Sequence, residues 1–270
     1  MISKYNEKEY AEYIYKHGFL TNHRPYELKL LVKYFKSLGH KPKARKDMLY
    51  DFCEKYIDKF SKAKYFKIIN TALSYGGKKH NNLIVIENIN ITKEELYCIT
   101  EQPIEHNLKK VMFTLLVQNK INKAKCMISF GKSSEYNFFG GTNLKYKEIK
   151  EIAKLPVSFN VNSAIHSLND INLIEIKTRG KIDLSFIYKI AKSDDIKIII
   201  TKFDDIGWYF DYYCSENKII KCEVCGKFVK ATNNKIKYCK ECAVEIKQQQ
   251  DRIADQKYRE KIKNEKIENI

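Results

Sequence analysis

Cys222-Glu223-Val224-Cys225 and Cys239-Lys240-Glu241-Cys242 are the two stretches from which this chain is best read. Thirteen residues separate the two pairs. A Cys-x-x-Cys turn presents two sulfurs to one side of a tight knuckle. Two such turns close a tetrahedral thiolate shell around one Zn²⁺ and leave no open position for a substrate water. The expected centre is therefore structural, with Cys222, Cys225, Cys239 and Cys242 as its four ligands. Gly226 stands where a tight turn needs positive φ. Phe228, Val229 and the pair Asn233-Asn234 predict a short hairpin between the knuckles that turns at the asparagines. A redox role fits less well, because neither pair has a βαβ setting.

Upstream, the pattern from 103 to 192 predicts one mixed domain. Leu108, Val111, Met112, Leu115, Leu116 and Ile121 recur at helical spacing over 105–124. Residues 126–143 carry Phe130, Phe138 and Phe139 among glycines and read as a hairpin or ordered loop. Tyr146–Ala153 is a short helix that points Ile149 and Ile152 inward, and Leu155-Pro156 ends it. Asn160 caps the next helix, with Val161, Ala164, Ile165 and Leu168 inward. Asn172–Ile176 and Ile182–Ile187 are expected strands, joined by a turn at Arg179-Gly180. Over roughly 105–188 this order resembles winged helix-turn-helix domains, carried by Ile149 and Ala153, Ile165 and Leu168, and Leu173–Ile176. The resemblance implies that the third helix enters the major groove with Asn160, Asn162, Ser163, His166 and Asn169 exposed, since asparagine can bond an adenine edge bidentately. It implies that the wing places Lys177, Arg179 and Lys181, with Thr178, against phosphates or in the minor groove. A winged helix used only for protein contacts stays open as an alternative.

The first eighty residues predict a helical module with helices ending near Gly18, Gly39 and Gly76-Gly77. Pro25 begins the second. Lys41, Lys43, Arg45 and Lys46 form a basic connector around Pro42, Asp47 leads the third helix, and Ser61 caps the fourth. Leu83–Ile91 reads as a strand, and Thr92 with Glu95 as a capping box that opens a short helix. A linker over 81–102 thus joins the helical module to the winged domain. A β-rich connector over 193–217 follows, in which Ile196–Thr201 and Trp208–Cys214 are expected strands. The aromatics around Trp208 suit core packing better than base stacking. The ribbon spans 218–244, and a basic helical tail runs over 245–270. Ribbon and tail resemble C-terminal modules of small proteins carried by phages and mobile elements of low-GC bacteria. The whole is an α+β chain: N-terminal helical module, central winged helix, C-terminal zinc ribbon with a basic helix.

Charge and cysteine usage bound the partners. The 50 basic and 33 acidic residues give a formal charge of +17, which favours a polyanion, most often nucleic acid. Four of the eight cysteines lie outside the knuckles and sit among apolar neighbours as small buried hydrophobes, not as a disulfide framework. The opening residues lack an apolar h-region and no run is long enough to span a bilayer, so a reducing cytoplasm and no membrane partner are expected. No phosphate-cradling loop or nucleophile elbow is present. Asp194-Asp195 and Asp204-Asp205 are acidic pairs of a kind that holds Mg²⁺, but turns use aspartate as readily. The function these features predict is sequence-specific DNA binding without catalysis, in transcriptional control or replication of a phage or plasmid. A protein adaptor docking on replication or transcription machinery, and a metal-dependent enzyme on nucleic acid, are the alternatives.

Overall fold

The computed structural model describes residues 5–140, 146–214, 219–233 and 235–268. The chain divides into two compact units, one built from 1–98, 115–145 and 165–201, the other from 99–114, 146–164 and 202–270.

The first unit opens with four helices: α1 (Glu7–His17), α2 (Arg24–Ser37), α3 (Pro42–Tyr56) and α4 (Lys62–Gly76). Helix α2 packs against the other three. Ile14, Leu28, Leu31, Phe35, Leu49, Phe52, Cys53 and Ile69 form their shared core. The helix ends follow local chemistry. Gly18 closes α1 at φ 89°, and Ser61 caps α4 by accepting from Lys64 N. One boundary differs from the sequence expectation. Helix α3 starts at Pro42, so Lys43, Arg45 and Lys46 lie within it and Asp47 does not lead it. Proline at the first position needs no N–H and presets φ for the helix, which outweighs a later aspartate cap. Glu7 accepts from Lys33 Nζ at 2.8 Å and from Ile84 N at 2.8 Å, pinning α1 to α2 and to the segment that follows the module.

The same unit holds two small sheets. Strand β1 (Ile89–Thr92) pairs antiparallel with β5 (Ile196–Ile200), with Ile89, Ile91, Ile198 and Ile200 buried. The predicted strand from Leu83 is shorter than expected, with a single bridge at Val85 before β1. The capping box forms: Glu95 N donates to Thr92 Oγ1 at 3.3 Å and Thr92 N to Glu95 at 2.9 Å, opening α5 (Lys93–Thr100). The second sheet has the order β2 (Phe138–Gly140), β4 (Lys181–Asp183), β3 (Glu175–Ile176), all antiparallel. Phe139 and Ile176 both sit opposite Ile182, which is fully buried. Asn119 and Lys123, on helix α6 (His106–Phe130), donate to Phe138 O and Asn137 Oδ1, so α6 holds the first strand. Helix α6 runs to Phe130 and stops at Gly131, φ 70°, so Cys126–Phe130 is helical, and among the described residues of this stretch only 138–140 is strand. Strand β4 ends at Asp183, and a 3₁₀ turn over Ser185–Lys189 replaces the rest of the expected strand.

The second unit contains α7 (Tyr146–Ile152), α9 (Ile206–Cys214), the hairpin β6 (Ile219–Lys221) and β7 (Phe228–Lys230), and α10 (Lys240–Glu268). Helix α8 (Val161–Asp170) contributes to both units, as α6 does. Trp208–Cys214 is helical, not the strand its aromatic composition suggests. Strand propensity is a weak backbone preference. Here Ile206, Gly207, Tyr209 and Phe210 bury one helical side. Tyr209 meets Phe228 edge-on at 4.4 Å, so α9 packs on the hairpin and the aromatic cluster is core. Gly207 is required by close approach, since a Cβ there would lie 1.9 Å from Ala153 O.

The hairpin also differs from its predicted place. Its strands flank the first knuckle, with Lys221 opposite Phe228, and do not turn at the asparagines. The three-residue pairing on either side of Cys222–Lys227 follows from the knuckle itself, which already reverses the chain. Asn233 instead caps a local turn by accepting from Lys235 N, and Asn234 lies outside the described residues. Helix α10 carries eight basic and seven acidic side chains, so the tail is near neutral and not basic.

Candidate metal centre and nucleic-acid face

The four knuckle cysteines converge. Their sulfurs all lie within 4.8 Å of one another, and they form the one such group of three or more potential ligands among the described residues. Local structure delivers each sulfur. The first knuckle is closed by Cys222 N donating to Lys227 O at 2.9 Å and Gly226 N to Cys222 O at 2.8 Å. Gly226 adopts φ 64°, the left-handed region that the sequence reading assigned to it. Glu223 N donates to Lys237 O, tying the first knuckle to the chain entering the second. Cys239 precedes α10 and Cys242 lies in its first turn, where its N–H points at Cys239 Sγ at 3.4 Å. Lys202 Nζ donates to Cys225 O from outside the knuckle.

The thiols share their environment. Burial works against the Cys222 thiolate. Backbone N–H groups of Cys225, Cys239 and Val224 outweigh it and bring that thiol down to about 6. Cys242 is held well above the ordinary thiol range, chiefly by its hydrogen bond with Cys239. Cys222 thus ionises easily while Cys242 keeps its proton. A soft cation supplies the positive charge that lets all four ionise together. A four-thiolate set of this compactness can hold a metal ion.

Helix α8 presents two unlike sides. Val161, Ala164, Ile165 and Leu168 are buried, whereas Asn160, Asn162, Ser163 and His166 are exposed. Asn160 Oδ1 accepts from Ser163 N at 3.1 Å, the N-cap that the sequence reading expected. Asn169 is half-buried and its side-chain oxygen accepts from Ile176 N at 3.0 Å, which fastens the end of α8 to β3. Its role is to set the strand, and its carbonyl is committed. In the β3–β4 turn Lys177 N donates to Lys181 O at 2.7 Å. Exposed Lys177 pairs with Glu175, which holds its pKa above the usual lysine range. Lys181 Nζ sits 4.4 Å from the Phe138 ring centroid. The Arg179 side chain lies outside the described residues.

The acidic pairs do not assemble a site among the described residues. Asp205 is buried and paired with Lys154 at 3.1 Å, while Asp194 and Asp195 are exposed. A polar network with no signal in the local sequence lies in the second unit. Asp211 is buried and accepts from Lys110 Nζ at 2.7 Å, and its other oxygen bonds His106 Nε2 at 2.7 Å. Burial disfavours its charge. The His106 and Lys110 hydrogen bonds reverse that and hold the carboxyl below its usual range. The partners are 105 and 101 positions apart, so no local spacing signals them. No helix among the described residues is long and apolar enough to cross a membrane. No protein-family model matches the chain, and no curated protein or solved structure matches it.

Proposed function

We propose that this chain is a non-enzymatic, sequence-specific DNA-binding protein of the regulatory or replication type carried by phages and plasmids. In this reading residues from α6 to β4 are a winged helix, and the knuckles are a zinc ribbon. The observation that carries it is the strand order β2-β4-β3 interleaved with α6, α7 and α8. The chain leaves α6 through one strand, makes two short helices, then returns as a hairpin whose second strand lies in the middle. This order supports reading the region as a winged helix, with α8 taken as recognition helix and the β3–β4 turn as wing. Asn162, Ser163 and His166 are the base-reading candidates, because Asn169 serves the backbone. Lys177, Arg179 and Lys181 serve phosphates.

The metal assignment rests on geometry. Four sulfurs about 2.3 Å from a tetrahedral zinc would stand about 3.8 Å apart. Cys225 Sγ and Cys239 Sγ are 3.8 Å apart. Such an ion would be structural, since four thiolates leave no open position. Selection of duplexes from a random pool tests the functional reading. One recurring motif is expected to be enriched by the intact chain and lost with Asn162→Ala/His166→Ala. A pool that stays random through repeated rounds would overturn it. A protein partner captured in nuclease-treated extract, with no duplex enriched, would make the chain an adaptor instead.

A further inference from the structure

The fourth helix carries charge in a way its neighbours do not. From Lys59 to Ile86 the chain has six lysines and no carboxylate. Lys59, Lys62, Lys64, Lys67, Lys78 and Lys79 are all exposed. Among the described residues, only Lys62 of these pairs with a carboxylate, Glu54 at 3.1 Å. On α4 itself Ile69, Ala72 and Gly76 face the core. Lys64, Lys67, Thr71 and Ser74 follow one another at three- and four-residue spacing on the opposite side, all exposed, over about 15 Å of helix.

Solubility alone does not ask for this. A solvated face mixes both signs. Helix α3, in the same module, also opens on basic residues, Lys43, Arg45 and Lys46, but follows them with Asp47, Asp51 and Glu54 before Lys55. Helix α10 mixes both signs along its length. In α4 the first turn holds Lys62 and Lys64 and no acid, at the end where the helix dipole disfavours cations. Lys64 and Lys67, three residues apart, add like-charge repulsion. The Glu54 carboxylate offsets Lys62 alone, and an external anion would relieve the rest.

We propose that this face of α4 is a second nucleic-acid surface, which tracks the phosphate backbone of duplex DNA without reading bases. It rests on the reading that duplex DNA is the partner, but not on α8 being the reader. Lysines spaced along a helix face neutralise successive phosphates as point charges. Each contact releases counterions and steepens the salt dependence of affinity.

The test is a salt titration of the intact chain on a duplex of arbitrary sequence, followed by fluorescence anisotropy. Lys64→Gln/Lys67→Gln is expected to make the log–log slope shallower by about two and to weaken binding roughly tenfold near physiological salt. Lys43→Gln/Lys46→Gln removes the same charge from the mixed face of α3, so the slope should stay within error of the parent. Circular dichroism of both variants checks that the helices remain folded. Equal slopes for parent and α4 variant, or equal losses in the two variants, would overturn the assignment. Loss of motif selection in Asn162→Ala/His166→Ala with the α4 effect intact supports both readings. An α4 variant that binds like the parent, while the α8 variant loses its motif, sinks this inference alone. A parent chain that binds no duplex at any salt, or that binds acidic peptides in preference to duplex, sinks it with the proposed function.

Discussion

Cys239 does two jobs at one atom. Its sulfur stands 3.8 Å from Cys225 Sγ and accepts the N–H of Cys242 that starts α10. Serine keeps a weak acceptor but loses the soft thiolate. With Cys239→Ser, bound zinc measured by elemental analysis is expected to fall from about one per chain to near zero, and the hairpin should lose its order. The α1–α4 core contains none of the ligands and should keep its helical signal. Cys53 gives an internal control, because burial pushes its thiol up to about 12 and it should stay unalkylated until global unfolding. At Asp211 the expectation is set by burial. Asp211→Ala leaves Lys110 buried without its counter-charge, so the unit containing it should lose about 3–5 kcal/mol by denaturant titration. The pH sign follows from the direction of the shift. A carboxyl lowered in the folded state contributes stability above its unfolded value of about 4, and that contribution fades as pH falls through the folded one. Parent stability should therefore drop on acidification below about pH 4, and the drop should shrink in Asp211→Asn. Gly207→Ala has no room beside Ala153 O and should cost about 3 kcal/mol.

Among the elements, α8 separates folding from recognition at a single position. Asn160→Ala removes the cap and should cost about 1 kcal/mol, or about 2–4 °C in melting temperature. Asn160→Asp keeps an accepting oxygen and should melt like the parent, yet place a negative charge where DNA is expected. Weaker DNA binding with an unchanged melting temperature is the outcome that ties this end of α8 to the polyanion. The elements that the sequence made legible are those with local punctuation. Gly18, Pro25, Ser61 and the Thr92–Glu95 box each mark a helix end by chemistry that acts within four residues. The inner face of α8 was legible for the same reason, through its spacing. Helix α9 was not, because Trp208, Tyr209 and Phe210 favour strands by composition, and packing against Phe228 decides otherwise. The hairpin was misplaced because alternation in a three-residue strand is too short to fix a register, while the knuckle reverses the chain unaided.

At the scale of the whole chain, the formal charge of +17 was legible but its placement was not. A tail that looked basic is balanced, and the unpaired excess collects on the N-terminal module, around α4. The four-cysteine cluster was legible in full, since Cys-x-x-Cys spacing encodes the knuckle directly. The acid at the centre of the Asp211 network was not, because residues a hundred positions apart meet only after folding. A charge excess of this size, on exposed lysines, turns into a measurable slope. The most direct test is the affinity of the intact, zinc-loaded chain for a duplex measured from about 50 to 200 mM salt. Binding that weakens by about a thousandfold or more over that range, in a straight line on log–log axes, is the expected result. Affinity indifferent to salt, or no binding at the lowest concentration, would contradict the proposal that this chain grips DNA.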